Sequence, residues 1–247
     1  MNTPSVPKLC AVIFLIGILS SLGPVAAENA TPAAATAVLP PEAEVTGLGL
    51  AEWSARSWQW FFSFPPDVNP FSDDNGARCG YGQAGAVFFL AGAENSVERS
   101  CVIPAGVHLF VPLLGSACST VEPPPFFGKD EAELSNCATD AIEMAERAFD
   151  MSTMRLTVDG QAIVNLSTYR TVTPLFTLWL PEDNLLGSDE PVAGSVADGY
   201  QVMLNPLPEG EHEVTIELPG PGTGQTITIT YRLTVVADIA ATASPIP

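Results

Sequence analysis

Near its C-terminal end the chain alternates without a break. In TITITYRLTV, Ile227, Ile229, Tyr231, Leu233 and Val235 share one side, and Thr and Arg the other. Successive side chains of a strand point to opposite faces, so such alternation specifies one dry face and one wet one. The dry face needs other apolar strand faces to close a core, and the preceding segments supply them. HEVTIEL alternates through Val214, Ile216 and Leu218, and DGYQVMLNPL through Tyr200, Val202 and Leu204. LFTLWL is apolar on both faces. MRLTVDGQAIV reads as two short strands around Asp159-Gly160, a pair that tolerates positive φ in a hairpin turn. Upstream, AVFFLAG and SCVIPAGVHLFVPLL read as buried strands. Several strands at short spacing, with little helix between them, predict a mainly β chain: an antiparallel β-sandwich, immunoglobulin-like or jelly-roll-like.

Two stretches break the β pattern. In residues 47–64, GLGLAEWSARSWQWFFSF, the residues Leu50, Trp53, Trp60, Phe61 and Phe64 fall on one helical stripe. A short N-terminal helix is expected there, ended by Pro65-Pro66. Trp58 and Phe62 lie off the stripe and are the aromatics expected to face outward. A second, inserted helix is expected near 130–149. Asp130 and Glu133 form a capping-box-like start. Its expected buried face is Leu134, Cys137, Ala141, Ala145, Ala148 and Phe149, with Glu143 and Glu146 pointing out. It joins the two halves without linker composition, so residues 47–237 read as one domain with a helical insertion, two small domains being the alternative.

The ends speak to compartment. Lys8 precedes an apolar run from Leu9 to Leu22, and small residues lead to Ala27. That order predicts a signal peptide, residues 1–27, cleaved after Ala27, and hence a secreted or extracytoplasmic protein. The run is shorter than the roughly 20 residues of a spanning helix, and no later segment is long and apolar enough to be one. Residues 28–46 read as a disordered linker and 238–247 as a disordered tail.

Cleavage removes Cys10 and leaves Cys79, Cys101, Cys118 and Cys137. An even count in an exported chain predicts two disulfides. Three pairings are open; the sequential one is favoured because short loops close most easily. Zinc is disfavoured, for there is no C-x-x-C. Cleavage also leaves eight basic residues against 28 acidic ones, a net charge of −20. With no Lys/Arg cluster to meet phosphates, nucleic acid is not an expected partner.

Three groups are candidates for chemistry. Asp67, Asn69, Asp73, Asp74 and Asn75 gather hard oxygen atoms that suit calcium; the competing reading is Asx turns organising a long connection. No other cofactor is expected. Trp58 and Phe62 are candidate ligand-facing aromatics, a platform for a glycan, against the reading that the aromatic helix covers apolar surface. His108 sits within an apolar strand and is a third candidate. His212 stands alone, and no nucleophile elbow, zinc helix or phosphate loop accompanies either histidine. The leading expectation is an exported ligand-binding or surface-interaction protein whose partner is an extracellular glycan or protein. The rival is a secreted carboxylate-dependent hydrolase acting on an extracellular polymer. Paired acids need no fixed sequence spacing, and His108 or the acidic loop would lie near its cleft.

Several segments carry a resemblance. Trp58-Gln-Trp60, then NPFSDDNGARC with its NP-x-x-D-x-x-G-x-x-C spacing, then the GQ-x-G of Gly82–Gly85, resemble an uncharacterised family of secreted bacterial proteins. The closing L-x-x-G-x-H turn and TY-x-L-x-V strand are similar to the last hairpin of immunoglobulin-like domains, which implies fold alone.

Overall fold

In the computed structural model the described residues are 37–220 and 224–237. The expected signal peptide, the first part of the linker and the tail 238–247 lie outside them. In chain order the elements are α1 (Leu50–Phe62), β1 (Val87–Phe89), β2 (Val97–Pro104), β3 (His108–Ser119), α2 (Glu131–Ala148), β4 (Arg155–Val158), β5 (Gln161–Ala162), β6 (Arg170–Val172), β7 (Phe176–Trp179), β8 (Val192–Leu204), β9 (Gly210–Pro219) and β10 (Thr226–Val236).

The strands form two five-stranded sheets. One runs β1-β3-β8-β6, with β7 also paired to β8; the other runs β2-β10-β9-β4-β5. They share one core. Val87, Leu109, Phe110, Val202 and Leu204 of the first sheet cluster with Ile103, Leu156, Ile216, Ile229 and Leu233 of the second. Hiding each such side chain contributes about 1.5–3 kcal/mol. Ile229, Tyr231, Leu233 and Val235 of β10 are all buried, as the alternation requires. The pairing is mainly antiparallel, with two parallel exceptions: β1 on β3 and β2 on β10. Both arise because the chain alternates sheets through β1, β2 and β3. SCVIPAGVHLFVPLL, expected as one run, is two strands in different sheets, separated by a turn at Gly106 with φ +84°.

β8 is buried over most of its length on both faces. The core covers one face, and the helices account for the other: α2 packs on β8 and β3, and α1 on β8 and β7. Period-two reading recovers only the first of these faces.

The start of α2 follows the sequence, and that of α1 adds a cap the sequence reading did not name. The Glu52 carboxylate accepts the Gly49 N–H at 3.1 Å. Asp130 accepts the Glu133 N–H at 3.0 Å, and Glu133 reaches back to the Lys129 N–H at 3.1 Å. The buried stripe of α2 is Leu134, Ala138 and Ile142, spaced four apart. The expected stripe is thus rotated: Cys137, Ala141 and Ala145 are half-buried and Ala148 is exposed. The Cys118–Cys137 bond holds the edge of the helix, not its centre, against β3.

The expected linker differs most. Its described part, residues 37–46, is folded onto the sheet. Leu39 N–H donates to Met203 O at 2.8 Å and Asn205 N–H to Ala37 O at 2.6 Å, while Ala37 and Val45 are buried. A few apolar residues within an Ala/Pro-rich stretch suffice, because the end of β8 offers unpaired backbone groups.

Candidate functional site

The four cysteines pair sequentially, Cys79 with Cys101 and Cys118 with Cys137. Two disulfides mark an oxidising, extracytoplasmic environment. No described helix is long and apolar enough to cross a membrane.

The acidic loop is organised inward. Asp73 is buried and its carboxylate accepts the backbone N–H groups of Asn75, Gly76 and Arg78 at 3.2, 3.2 and 2.8 Å. Asn69 is buried too: its side chain accepts from Phe71 N–H and donates to Phe61 O, both at 2.8 Å. Asn75 accepts the Ala77 N–H at 3.0 Å. Asp67 and Asp74 are exposed. These are Asx turns, and among the described residues no three His, Cys, Asp or Glu side chains gather as metal ligands.

What holds this loop is a residue the sequence reading passed over. Arg99 is 1% exposed. Its guanidinium donates to the carbonyls of Asp73 (2.6 Å), Ala91 (2.8 Å), Gly92 (3.0 Å) and Phe71 (3.0 Å), and to the Tyr231 hydroxyl at 2.6 Å. Tyr231, directly across from it in the β2–β10 register, donates onward to Ala91 O at 2.5 Å. Burial pushes the Tyr231 phenol up, against the pull of the Arg99 charge. A signal was available: Arg99, Cys101 and Ile103 share the inward parity of β2.

A second polar cluster lies between α2 and the first sheet. Arg170 grips the buried Asp198 through Nε at 3.1 Å and Nη2 at 2.7 Å, and Glu146 through Nη1 at 2.9 Å. The Tyr200 hydroxyl donates to the same Glu146 oxygen. The Asp198 hydrogen bonds hold the Arg170 guanidinium well above its ordinary value. Burial, then Glu146, raises the Tyr200 phenol. Glu146, expected to point outward, instead closes this cluster, whose members come from helix and sheet segments far apart in sequence.

Beside Tyr200 lies a cavity of about 410 Å³. Trp58 and Phe61 of α1, Phe110 and Leu113 of β3, and Leu218 and Ile227 at the tip of the β9–β10 hairpin are among its walls. Its polar lining is sparse: Ser54, Ser57, Tyr200 and Gln201, with the Trp60 indole N–H already donating to Tyr81 O at 2.8 Å. No charged residue lines it. A β-bulge shapes this wall, since Pro112 faces Gln201 and Leu114 faces Tyr200, leaving Leu113 as the extra residue. Bulges re-aim side chains where they interrupt a ladder. Gly199 is required there, because a Cβ would sit 2.3 Å from Leu114 O.

The remaining candidates divide. Trp58 is half-buried, lines the cavity and stacks on Phe62 with ring centres 5.7 Å apart. Phe62, expected to face outward, is buried against Phe176 and Leu178, because β7 covers that side of α1. Trp179 of β7 is strongly exposed, at 67%, beside Val192 on the paired strand. His108 is half-buried, with Nδ1 3.2 Å from Leu204 O. Among the described residues no hydrogen bond links it to Asp73 or Asp74. His212 has Nδ1 2.8 Å from Asp159 and Nε2 2.8 Å from Pro208 O, which ties the Asp-Gly hairpin to β9.

Compared with protein-family models, with curated proteins and with solved structures, the chain matches none.

Proposed function

We propose that this is an exported binding protein whose sandwich takes a small, largely apolar ligand into the cavity between α1 and the two sheets. The cavity itself carries the reading: about 410 Å³ of space walled by aromatic and aliphatic side chains. Small-molecule sites are typically of this size, mostly apolar, with a few placed polar groups. The surrounding shell is tightly packed and paired. Trp58 stacks on Phe62, Phe61 packs edge-on against Phe71, and the Glu146–Arg170–Asp198–Tyr200 cluster braces the Tyr200 wall. Export of the chain, read from the N-terminal sequence, suits a carrier or sensor of such a ligand outside the cytoplasm. The hydrolase reading draws less support. Glu146 and Asp198 meet beside the cavity, but Arg170 binds both, so neither is free for acid–base work.

The test uses the mature, oxidised protein and N-phenyl-1-naphthylamine, a neutral apolar dye that brightens out of water. Saturable one-site binding is expected. Ser57→Trp, which fills the cavity from α1, is expected to weaken it at least tenfold with an unchanged melting temperature. A dye signal that does not saturate, or equal affinity in Ser57→Trp, overturns the reading.

A further inference from the structure

We infer that the cavity takes a neutral ligand bearing one oxygen group, an alcohol or a ketone, which hydrogen-bonds to the hydroxyls of Ser54 and Ser57 on α1. This rests on the cavity being a ligand site and adds the class of ligand and the residues that choose it.

Ser54, Ser57, Trp58 and Phe61 all line the cavity. Their spacing, i, i+3, i+4 and i+7, is one stripe of a helix, so α1 turns a single face to it. That face carries two aromatics and two hydroxyls. Ser54 is 3% exposed. A helical serine can bond back to a carbonyl of the preceding turn, and Ser63 at the C-terminal cap of α1 does so, donating to Trp60 O at 2.7 Å. Among the described residues neither Ser54 nor Ser57 makes a side-chain hydrogen bond. The buried side-chain atoms that are both unpartnered and sealed off are Glu122 Oε2 and Gln201 Nε2. The Ser54 hydroxyl is not one of them. It is unpartnered yet keeps accessible surface, and the open space that this face of α1 meets is the cavity.

A buried hydroxyl without a partner is unfavourable, and alanine has the higher helix propensity, so Ala would suit the empty protein better at both positions. A ligand oxygen supplies the missing partner. A serine hydroxyl both donates and accepts, so it serves an alcohol or a carbonyl alike.

Charge argues for neutrality. No charged residue lines the cavity. The Arg170 behind Tyr200 is held by two carboxylates, and the Tyr200 proton is committed to Glu146. A carboxylate ligand would enter an apolar site without a counter-charge, in a strongly acidic protein.

The experiment displaces N-phenyl-1-naphthylamine from the mature, oxidised protein with octan-1-ol, octan-2-one, 1-chlorooctane and octanoate at neutral pH. It compares the wild type with the double variant Ser54→Ala, Ser57→Ala. The variant is expected to bind octan-1-ol and octan-2-one about tenfold more weakly, and 1-chlorooctane within about twofold of wild type. Octanoate is expected to bind the wild type about tenfold or more below octan-1-ol. The ligand-free variant is expected to melt no lower than wild type, because these hydroxyls hold nothing in the free fold. Serines with a merely structural role would lower the melting temperature and shift all neutral ligands alike. Ser54→Ala alone serves if the double variant does not fold. Absence of saturable dye binding in the wild type removes the cavity reading and this inference together. With dye binding intact, an unchanged ratio of octan-1-ol to 1-chlorooctane in the variant, octanoate equal to octan-1-ol, or a lower melting temperature overturns this inference alone.

Discussion

Arg99 and Gln201 are both polar, both almost wholly buried, and treated in opposite ways. Arg99 reaches four carbonyls and a hydroxyl. The Gln201 amide nitrogen reaches nothing. The first is a charge that the fold solvates with its own backbone, and it organises the loop from Phe71 to Gly92. The second is a donor sealed in without a partner, in a residue that lines an apolar cavity. A buried polar group that is fully satisfied stabilises the fold; one that is sealed in unsatisfied costs it stability.

The largest test of this contrast is Arg99→Leu. It orphans several carbonyls at once, so stability should fall by about 3–5 kcal/mol, measured by urea unfolding followed through tryptophan emission. A loss below about 1 kcal/mol would break the contrast, for Arg99 would then be no more structural than an ordinary surface group. Replacing Cys79 and Cys101 together by Ser is expected to cost about 3 kcal/mol, from the chain entropy of a 22-residue separation. Addition of the two losses would show that staple and guanidinium hold the loop independently, and a smaller total that they share one job. Tyr231→Phe removes the hydroxyl that accepts from Arg99 and donates to Ala91, with an expected loss of about 2 kcal/mol.

The smallest effect sharpens the other half. Burial pushes the Glu122 carboxyl above the usual carboxylate range, with Oε2 unpartnered. A raised folded value means that the protonated form is favoured by folding. Its contribution is therefore present at low pH and is lost as pH rises through the folded value. Glu122→Gln should melt slightly higher than wild type at pH 7, and the gap should close toward pH 4. A gap that grows on acidification would reverse the assignment.

The strands were legible wherever one face is buried and one is wet. The alternation of β10 named its buried residues, and the parity of β2 held the signal for Arg99. Where both faces are covered the pattern is silent, as in β8. The start of α2 was legible because a cap is a local hydrogen bond. The α2 face was not, because a stripe of alanines turns by one position depending on what packs on it. Asn69, Asp73 and Asn75 make the Asx turns that were one of the two readings of the acidic loop; sequence left both open, since Asx turns and a cation site call for the same residue types. Phe62 was misjudged because β7, more than a hundred residues later, covers it.

Sequence alone determined the secondary structure set by local period, the cap of α2, and the supply of four cysteines at separations that favour neighbours, because each of these depends on residues close along the chain. Tertiary structure alone decided the parallel pairs, the folding of residues 37–46 onto β8, the Glu146–Arg170–Asp198–Tyr200 cluster and the cavity beside Gln201. Each of those joins segments distant in sequence, and no local pattern fixes which distant surfaces meet.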